Sequence, residues 1–488
     1  MFGADPQSRA VNERQFYLET NRMDPKTPEL SLTLKGSVGS RMSLNVGLMA
    51  GAKIITALFG LATLFITARA LGEQAAFGIV LFVHAYMLFF ASVASFQMWQ
   101  AIVRFGTDHL KDKNAAGLSK LIRLGIDLDM IAACLAYIMA IAILPAFDVI
   151  ASLTSTAEIA NIDTAELKKL IAIYSTLLFF RQISTSVGIF RLFDNFSLLA
   201  LRAILMPTLR FFGALIAWSQ GWGIVGFLCV WYLASFCSYI MLPILAFFEL
   251  KRRHLLRPVF GHGTALRDVP KGVWPFIWKT NIDFSLSAFK GRFPSLLVTA
   301  VFGPAALAVF RVAEEVSKFL SKGAKLFDQV LLPELSRLVA ERKVDRLLII
   351  ALKTAAAYAA LSLLIAVVIT LFGDPAIKLG FGDGYEAAPF LAILLLLGSV
   401  FAGVSTPFYT TLYAMTKPGL AIWVRAASVC VFLGLFFALT ESQGLRAIGW
   451  AAIGAAILEV ICVIAVTIRV LKTNIDPPND LRAGPPKP

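Results

Sequence analysis

Long apolar stretches alternate with short polar connections along the chain from about residue 44 to residue 470. Each stretch reaches or exceeds the length of about 20 residues that an α-helix needs to cross the hydrocarbon core of a bilayer. Uninterrupted apolar runs of this length are typical of membrane helices. The pattern predicts about twelve spanning helices. Their approximate limits are 44–69, 75–101, 122–144, 167–190, 197–218, 222–249, 276–302, 304–330, 347–371, 386–414, 419–438 and 447–469.

Composition supports this interpretation. Of the 488 residues, 58% are hydrophobic, whereas soluble domains are about 45–50% apolar. We therefore expect an all-α polytopic membrane protein. The five cysteines lie in apolar segments without C-x-x-C spacing, and we expect them to be buried, unpaired side chains. The four histidines form no H-E-x-x-H pattern, so we expect neither a metal site nor a cofactor.

The polar connections alternate in charge. Basic connections contain Arg104, Lys111, Lys113, Lys120, Arg191, Lys251, Arg252, Arg253, Arg257, Arg337, Arg342, Lys343 and Lys417. The connections between them are acidic or neutral and contain Asp148, Glu158, Asp163, Asp374, Asp383 and Glu386. Cytoplasmic loops are enriched in Lys and Arg. Both tails, 1–43 and 471–488, are therefore predicted to be cytoplasmic, and the net charge of +14 indicates membrane topology rather than nucleic-acid binding.

An internal repeat divides the predicted spans into two sets of six. The turn Gly72-Glu73-Gln74-Ala75 matches Gly303-Pro304-Ala305-Ala306, and each turn joins the first two helices of its set. The repeat predicts an N-lobe at 44–249, a basic cytoplasmic linker at 250–275 and a C-lobe at 276–470. Parallel repeats of this kind place a substrate site between the two halves, near the bilayer midplane.

The eighth predicted span carries a dense stripe of charge. Its charged residues are Arg311, Glu314, Glu315, Lys318, Lys322 and Lys325, which follow steps of three and four residues. Such spacing places them on one face of a helix. At about 2.5–3.5 kcal/mol for each charge near the bilayer centre, this face cannot contact lipid. It must therefore line a water-containing space inside the protein.

Several other spans contain charge. Lys279, Asp283 and Lys290 share one face of the seventh span, whereas Arg292 points elsewhere. The remaining intramembrane charges and the one intramembrane histidine are Lys53, Arg69, His84, Asp127, Asp129, Arg181, Arg202 and Arg210.

Each of these groups has a structural alternative. Arg69 would extend to the membrane surface, Arg202 would mark topology, and His84 would be a core histidine. Asp127 and Asp129 would pair with Arg123 or Lys120. Lys279, Asp283 and Lys290 would pair along one helix, and Arg311 would pair with Glu314 or Glu315. Even after such pairing, basic groups exceed acidic ones among the deep residues, and a wet cavity with surplus Arg and Lys favours an anion such as phosphate.

Two short segments, one in each half, place the chain near a known family. The first is Ala68-Arg69-Ala70-Leu71-Gly72-Glu73-Gln74-Ala75-Ala76-Phe77-Gly78, followed by Trp99-Gln100-Ala101-Ile102-Val103-Arg104-Phe105. Its counterpart is Phe302-Gly303-Pro304-Ala305-Ala306-Leu307, followed by the run L-L-P-E-L-S-R-L from Leu331. With these residues the chain resembles the polysaccharide (O-antigen type) flippases of the multidrug/oligosaccharidyl-lipid/polysaccharide exporter superfamily.

That resemblance implies two six-helix lobes around a central cavity in a bacterial inner membrane. It also implies a transporter, not an enzyme, that flips a polyprenyl-diphosphate-linked oligosaccharide to the outer leaflet for surface polysaccharide synthesis. The expected partners are the lipid-linked oligosaccharide, membrane lipid, a polysaccharide polymerase and glycosyltransferases.

We assign expected roles on this basis. The diphosphate would be bound by Lys53, Arg181, Lys290, Arg311 and Lys318. Asp283, Glu314 and Glu315 would couple transport to ions or pair with the bases, and Lys322 and Lys325 would form the cytoplasmic entrance.

Two alternative functions stay open. A drug exporter of the same superfamily would require an acidic, aromatic cavity. The surplus of basic residues in the predicted spans disfavours this alternative. A membrane glycan polymerase or ligase would require a large outer loop, whereas the longest predicted outer loop, 145–166, has about twenty residues.

Overall fold

A computed structural model describes residues 38–146, 164–181, 183–261, 272–321, 344–415 and 418–475, and the described elements are helices joined by turns. The helices are α1 (Val38–Leu71), α2 (Gln74–Val93), α3 (Met98–Lys111), α4 (Ala115–Ala142), α5 (Thr164–Ser175), α6 (Leu178–Arg181), α7 (Ser184–Leu192), α8 (Phe196–Ser219), α9 (Ile224–Arg252), α10 (Leu256–Gly261), α11 (Val273–Ser321), α12 (Val344–Phe381), α13 (Ala388–Ala414), α14 (Pro418–Gln443) and α15 (Ala447–Ile475).

Ten helical stretches in the described ranges are long and apolar enough to cross a membrane. Four of them contain an interruption. Gln74–Lys111, broken after Val93, and Thr164–Leu192, broken after Ser175, are each counted as one span, whereas each of the two longest stretches is divided into two. The stretch Val273–Lys318 bends at Gly303, whose φ of 86° is not helical, and the stretch Gly419–Val470 contains a short 3₁₀ turn at 444–446. Counting each of these two as a pair of spans gives the twelve spans expected from hydropathy. We call the part of α11 before Gly303 α11a and the part after it α11b.

The fold is all-α, with two six-helix lobes around a central cavity. Helices α1–α9 form the six spans of the N-lobe, since α2 with α3 and α5 with α6 and α7 each count as one span. The C-lobe consists of α11a, α11b and α12–α15. Within the N-lobe α1 packs along α8, and within the C-lobe α15 packs against α13 and α14. The lobes meet mainly where α2 packs along α11. We retain the predicted limits of the tails, lobes and linker as a proposal.

Helices α2 and α11 approach each other closely at one end of their contact and pack through aromatic side chains in the middle. A Cβ atom on Gly78 would lie 1.9 Å from the carbonyl oxygen of Pro304, so only glycine allows the two backbones to approach this closely. Further along, Phe89 packs on Phe289 and Phe293, with ring centroids 5.7 and 5.8 Å away. These contacts fix the N-lobe against the C-lobe along one side of the cavity.

The second predicted span, 75–101, is not one continuous helix. Helix α2 ends at Val93, and α3 begins only at Met98, because the backbone between them leaves the helical path. The C-lobe satisfies the backbone groups at this break. Asn281 Oδ1 accepts a hydrogen bond from the Gln97 amide at 2.7 Å, and Ser285 Oγ donates to the Val93 carbonyl at 3.2 Å.

The outer surface of the bundle is rich in large apolar side chains. Leu363, Leu371 and Trp423 are 64%, 64% and 76% exposed. A soluble protein buries such side chains, whereas a membrane protein presents them to lipid. Four of the cysteines, Cys134, Cys229, Cys237 and Cys430, also lie on this surface. The prediction that the cysteines are buried was therefore wrong, because apolar lipid accommodates a thiol as well as a protein core does.

Candidate functional site

A cavity of about 1030 Å³ lies between the lobes. Its walls come from α1, α2, α8 and α9 of the N-lobe and from both arms of α11. The charged or titratable side chains that line it are Lys53, His84, Arg210, Arg292, Arg311, Glu315 and Lys318. Five are basic and one is acidic, so the lining has a surplus of positive charge.

Helix α11b contributes an ion-paired group to this lining. Arg311 donates hydrogen bonds to Glu314 and, at 3.4 Å, to Glu315. Lys318 donates to the second oxygen of Glu314, which is buried. Steps of three and four residues both align these groups and allow them to pair. The expected pairing of Arg311 within its own helix is confirmed.

Lys53 and Arg292 lie in different lobes, on α1 and α11a, and both line the cavity. In the described part of the chain, neither side chain has an ion pair or a hydrogen bond. Arg292 was expected to point away from Lys290, and it does so, toward the cavity. These two cations therefore remain available to an anion between the lobes.

Arg210 lies on α8 and was not assigned to the site from sequence. It donates hydrogen bonds to Ser235 Oγ at 2.7 Å and to His84 Nε2 at 3.3 Å, and its guanidinium lies 4.7 Å from the centre of the Trp231 ring. His84 Nδ1 in turn bonds the Tyr174 hydroxyl at 2.9 Å. The partners of this arginine are neutral groups, so its charge adds to the surplus.

Lys290 does not line the cavity. Its ammonium group contacts Glu459 of α15, which also accepts hydrogen bonds from Tyr409 at 2.9 Å and Ser428 at 3.1 Å. Glu459 is 169 positions away along the chain. The predicted pairing of Lys290 with Asp283 along its own helix involves a side chain outside the part of the chain that the structure describes. Lys290 thus belongs to a polar group inside the C-lobe.

Arg181 is also absent from the cavity lining. Its guanidinium lies 5.9 Å from the centre of the Tyr239 ring, and that of Arg202 lies at the same distance from the same ring. These two arginines, from α6 and α8, are therefore neighbours.

The remaining candidate residues divide into two groups. Arg123 pairs with Asp127 at 3.1 Å, as one alternative predicted, whereas Asp129 instead accepts the backbone amide of Thr185 at 2.8 Å. The side chain of Asp283 and the residues Lys322 and Lys325 lie outside the part of the chain that the structure describes.

Within the described ranges, no group of three His, Cys, Asp or Glu residues could hold a metal ion.

Residues 44–339 match the family model described as "Polysaccharide biosynthesis protein", which covers more than half of the chain. The chain belongs to this family. Its lobes and basic cavity are therefore those of a polysaccharide biosynthesis protein, and it is a multi-pass membrane protein.

Individual relatives agree with this membership. Over 344 residues the chain is 28% identical to "Inner membrane protein YghQ" of Escherichia coli (strain K12), which covers 70% of this chain and 93% of that protein. Among solved structures, an inward-facing MATE family transporter of the MOP superfamily is similar with a TM-score of 0.68, at 16% identity over 86% of this chain and 96% of that one. "Lipid II flippase MurJ, inward closed conformation" is similar with a TM-score of 0.61, at 14% identity over 87% and 89%. At these identities the two structures show the fold alone.

Hydrogen bonds join the two lobes of this polysaccharide biosynthesis protein at the end of α1. Arg69, exposed at the end of α1, donates hydrogen bonds to the backbone carbonyls of residues 378–380 at 2.7–3.2 Å. These carbonyls end α12, where a helix leaves acceptors unsatisfied. Gln74 Nε2 donates to the Gly384 carbonyl at 2.5 Å. The first turn of the N-lobe is thereby bonded to the C-lobe.

Proposed function

We propose that this protein moves an oligosaccharide, linked to a polyprenyl lipid through a diphosphate, from the inner to the outer leaflet for surface polysaccharide synthesis. Family membership and the two-lobe fold support a role in moving polysaccharide precursors. The observation that carries the proposal is the cavity between the lobes, where Lys53, Arg210 and Arg292 form no ion pair with a described acidic residue.

The diphosphate is the part of such a lipid that resists crossing a bilayer, since charge is costly in hydrocarbon. Cations without acidic partners in a partly buried cavity also destabilise the protein, because they are partly removed from water. Binding of the diphosphate to these cations reduces the free-energy cost of both charges. Arginine offers a planar fork that matches phosphate oxygens, and lysine adds a point charge. Because Lys53 and Arg292 come from different lobes, a bound diphosphate would be held between the two moving halves.

The ion pairs of α11b stabilise two of the cavity's basic side chains before substrate binds. Glu314 and Glu315 hold Arg311 and Lys318. In our proposal these bonds exchange for bonds to phosphate when substrate binds, so that the two glutamates are released and can accept protons. Asp283 keeps its predicted coupling role as part of the proposal.

We place the protein in the inner membrane with both termini in the cytoplasm, on the charge alternation of its loops. In this orientation the end of the protein where Arg69 bonds the two lobes faces outward. Lys322 and Lys325, next along the chain from Lys318, would then form the cytoplasmic entrance. A polymerase, glycosyltransferases and membrane lipid complete the proposed partners.

The alternatives make different demands on the cavity. An exporter of cationic drugs would have to bind a cation among five basic side chains and one acidic one. That charge balance disfavours it. A glycan polymerase or ligase differs from a flippase in its product rather than in its cavity. The glycan intermediate that accumulates when the protein is deleted therefore distinguishes them.

Deletion of the gene tests the proposal. We expect lipid-linked single repeat units to accumulate on the cytoplasmic side, and surface polysaccharide to disappear. A double variant, Lys53→Gln with Arg292→Gln, should restore little of the polysaccharide at normal expression. Its matched control is Lys279→Gln with Arg104→Gln, two exposed basic residues away from the cavity, which should restore it fully. Accumulation of polymerised but unligated glycan would instead identify a ligase, and full rescue by Lys53→Gln with Arg292→Gln would contradict the proposal.

A further inference from the structure

Two arginines of the N-lobe face one aromatic ring. The guanidinium carbons of Arg181 on α6 and Arg202 on α8 each lie 5.9 Å from the centre of the Tyr239 ring. Tyr239 is buried in α9. Three helices therefore converge at this point, with two positive charges on one ring.

Neither charge is neutralised by the protein as described. Arg181 and Arg202 form no ion pair with a described acidic residue, and the Nε atom of each is buried without a hydrogen-bond partner. A cation–π contact contributes only about 0.5–2 kcal/mol. That is less than the several kcal/mol by which a buried, unpaired charge is destabilised. An anion within reach of both guanidinium groups would neutralise the two charges.

The arginine pair is continuous with the cavity. Arg202, Met206 and Arg210 follow at steps of four residues, so they share one face of α8. Met206 and Arg210 of this face line the cavity. Arg292, which also lines the cavity, is within electrostatic range of Arg181 and Tyr239. The pair thus lies beside the cavity rather than on a separate surface.

We propose that Arg181 and Arg202 form a second binding position for a phosphate-type anion, separate from the position between Lys53 and Arg292. Eight residues of helix separate Arg202 from Arg210, which is about 12 Å along α8. The N-terminal end of α8 is predicted to be cytoplasmic, so a substrate phosphate would meet Arg202 before Arg210. This use of the position rests on the proposed function, because it takes the substrate diphosphate as its ligand.

A phospholipid headgroup has the same phosphate chemistry and is the other possible source of the anion. Both ligands need guanidinium groups that donate paired hydrogen bonds, so the site itself does not distinguish them. The stoichiometry of binding does. A lipid would occupy the arginine pair permanently, whereas a substrate position would fill only when a diphosphate is supplied.

The test is native mass spectrometry of the full-length protein in detergent, titrated separately with farnesyl diphosphate and with phosphatidylglycerol. Wild-type protein should bind two equivalents of farnesyl diphosphate. In Arg181→Gln with Arg202→Gln only one equivalent should bind at the concentrations that fill both positions of wild type. The second equivalent should bind about tenfold or more weakly, as expected when charge-assisted hydrogen bonds are removed. Arg104→Gln, an exposed arginine on α3, is the control and should bind two.

A second variant guards against misfolding. Arg181→Lys with Arg202→Lys keeps both charges but loses the forks, so it should retain a weakened second equivalent. A second equivalent filled by phosphatidylglycerol and not by farnesyl diphosphate would assign the position to a lipid headgroup and overturn its use by substrate. Equal stoichiometry for wild type and for Arg181→Gln with Arg202→Gln, measured with both probes, would overturn the site. Failure of the proposed function is distinguishable, because wild-type protein would then bind no farnesyl diphosphate at all.

Discussion

Lys290 of α11a and Glu459 of α15 form an ion pair inside the C-lobe. Glu459 is 5% exposed and also accepts hydrogen bonds from Tyr409 and Ser428. The pair joins the helix that lines the cavity to the last helix of the chain. Lys290 therefore acts in our account as a support for α11a, and Arg292 two positions later presents its charge to the substrate.

Removing one partner of this pair should destabilise the protein. Glu459→Gln leaves the Lys290 charge without its carboxylate, and a fully buried pair broken in this way costs about 3–5 kcal/mol. Because the Lys290 side chain is 36% exposed, we expect a smaller loss of about 1–3 kcal/mol. Thermal unfolding in detergent, followed by tryptophan fluorescence, measures it.

The double variant Lys290→Gln with Glu459→Gln is the control for that prediction. It removes both charges, so it should be more stable than the sum of the two single losses implies. Strict additivity would show that the pair contributes no coupling. Lys290→Gln should also keep its affinity for a prenyl diphosphate, and a large loss would return Lys290 to the substrate site as the sequence first suggested.

Gly78 should not tolerate a side chain. In Gly78→Ala the new Cβ meets the Pro304 carbonyl oxygen at 1.9 Å, and this neighbour is backbone that cannot rotate away. Overpacking of this kind costs about 1–3 kcal/mol. Gly51 of α1 has no atom within 4 Å of its Cβ position. Gly51→Ala should therefore match wild type or gain up to about 1 kcal/mol from helix propensity. Equal melting temperatures for the two variants would contradict the close contact of α2 with α11.

Arg69 should hold the outer end of the cavity closed. Arg69→Ala removes the hydrogen bonds to residues 378–380, which lie in the other lobe. We expect a cysteine placed at Ser287 in the cavity to react several-fold faster with a membrane-impermeant maleimide added outside. Arg446→Ala is the control, because Arg446 packs on Phe390 within its own lobe, 4.9 Å from the ring centre. Unchanged labelling in Arg69→Ala would contradict this role.

Hydropathy was enough to predict the spans, because lipid exposure is encoded locally in runs of apolar residues. The two lobes were predicted from the internal repeat and from the family resemblance. Hydropathy failed at the break between Val93 and Met98. There the apolar run continues through a bend whose backbone groups are satisfied by Asn281 and Ser285 from the other lobe. No local pattern contains that information.

The sequence predicted those contacts of the site that join residues close together in the chain, and it missed the contacts between distant residues. The bonds of Arg311 to Glu314 and Glu315 follow from helical spacing, so they could be expected. The partner of Lys290 is 169 residues away and could not be found without the fold. Arg210 carried one usable signal, its spacing of eight residues from Arg202. Its neutral partners, His84 and Ser235, became visible only through packing.

The central claim is that the cavity cations bind a diphosphate, and calorimetric titration of the purified protein tests it most directly. Wild-type protein should bind farnesyl diphosphate and show no comparable affinity for farnesol, which has the same chain without the anion. Lys53→Gln with Arg292→Gln should bind the diphosphate about 10–100-fold more weakly, as the loss of one to two charge-assisted hydrogen bonds implies. Equal affinity for farnesol and farnesyl diphosphate, or an unchanged affinity in the double variant, would contradict the account.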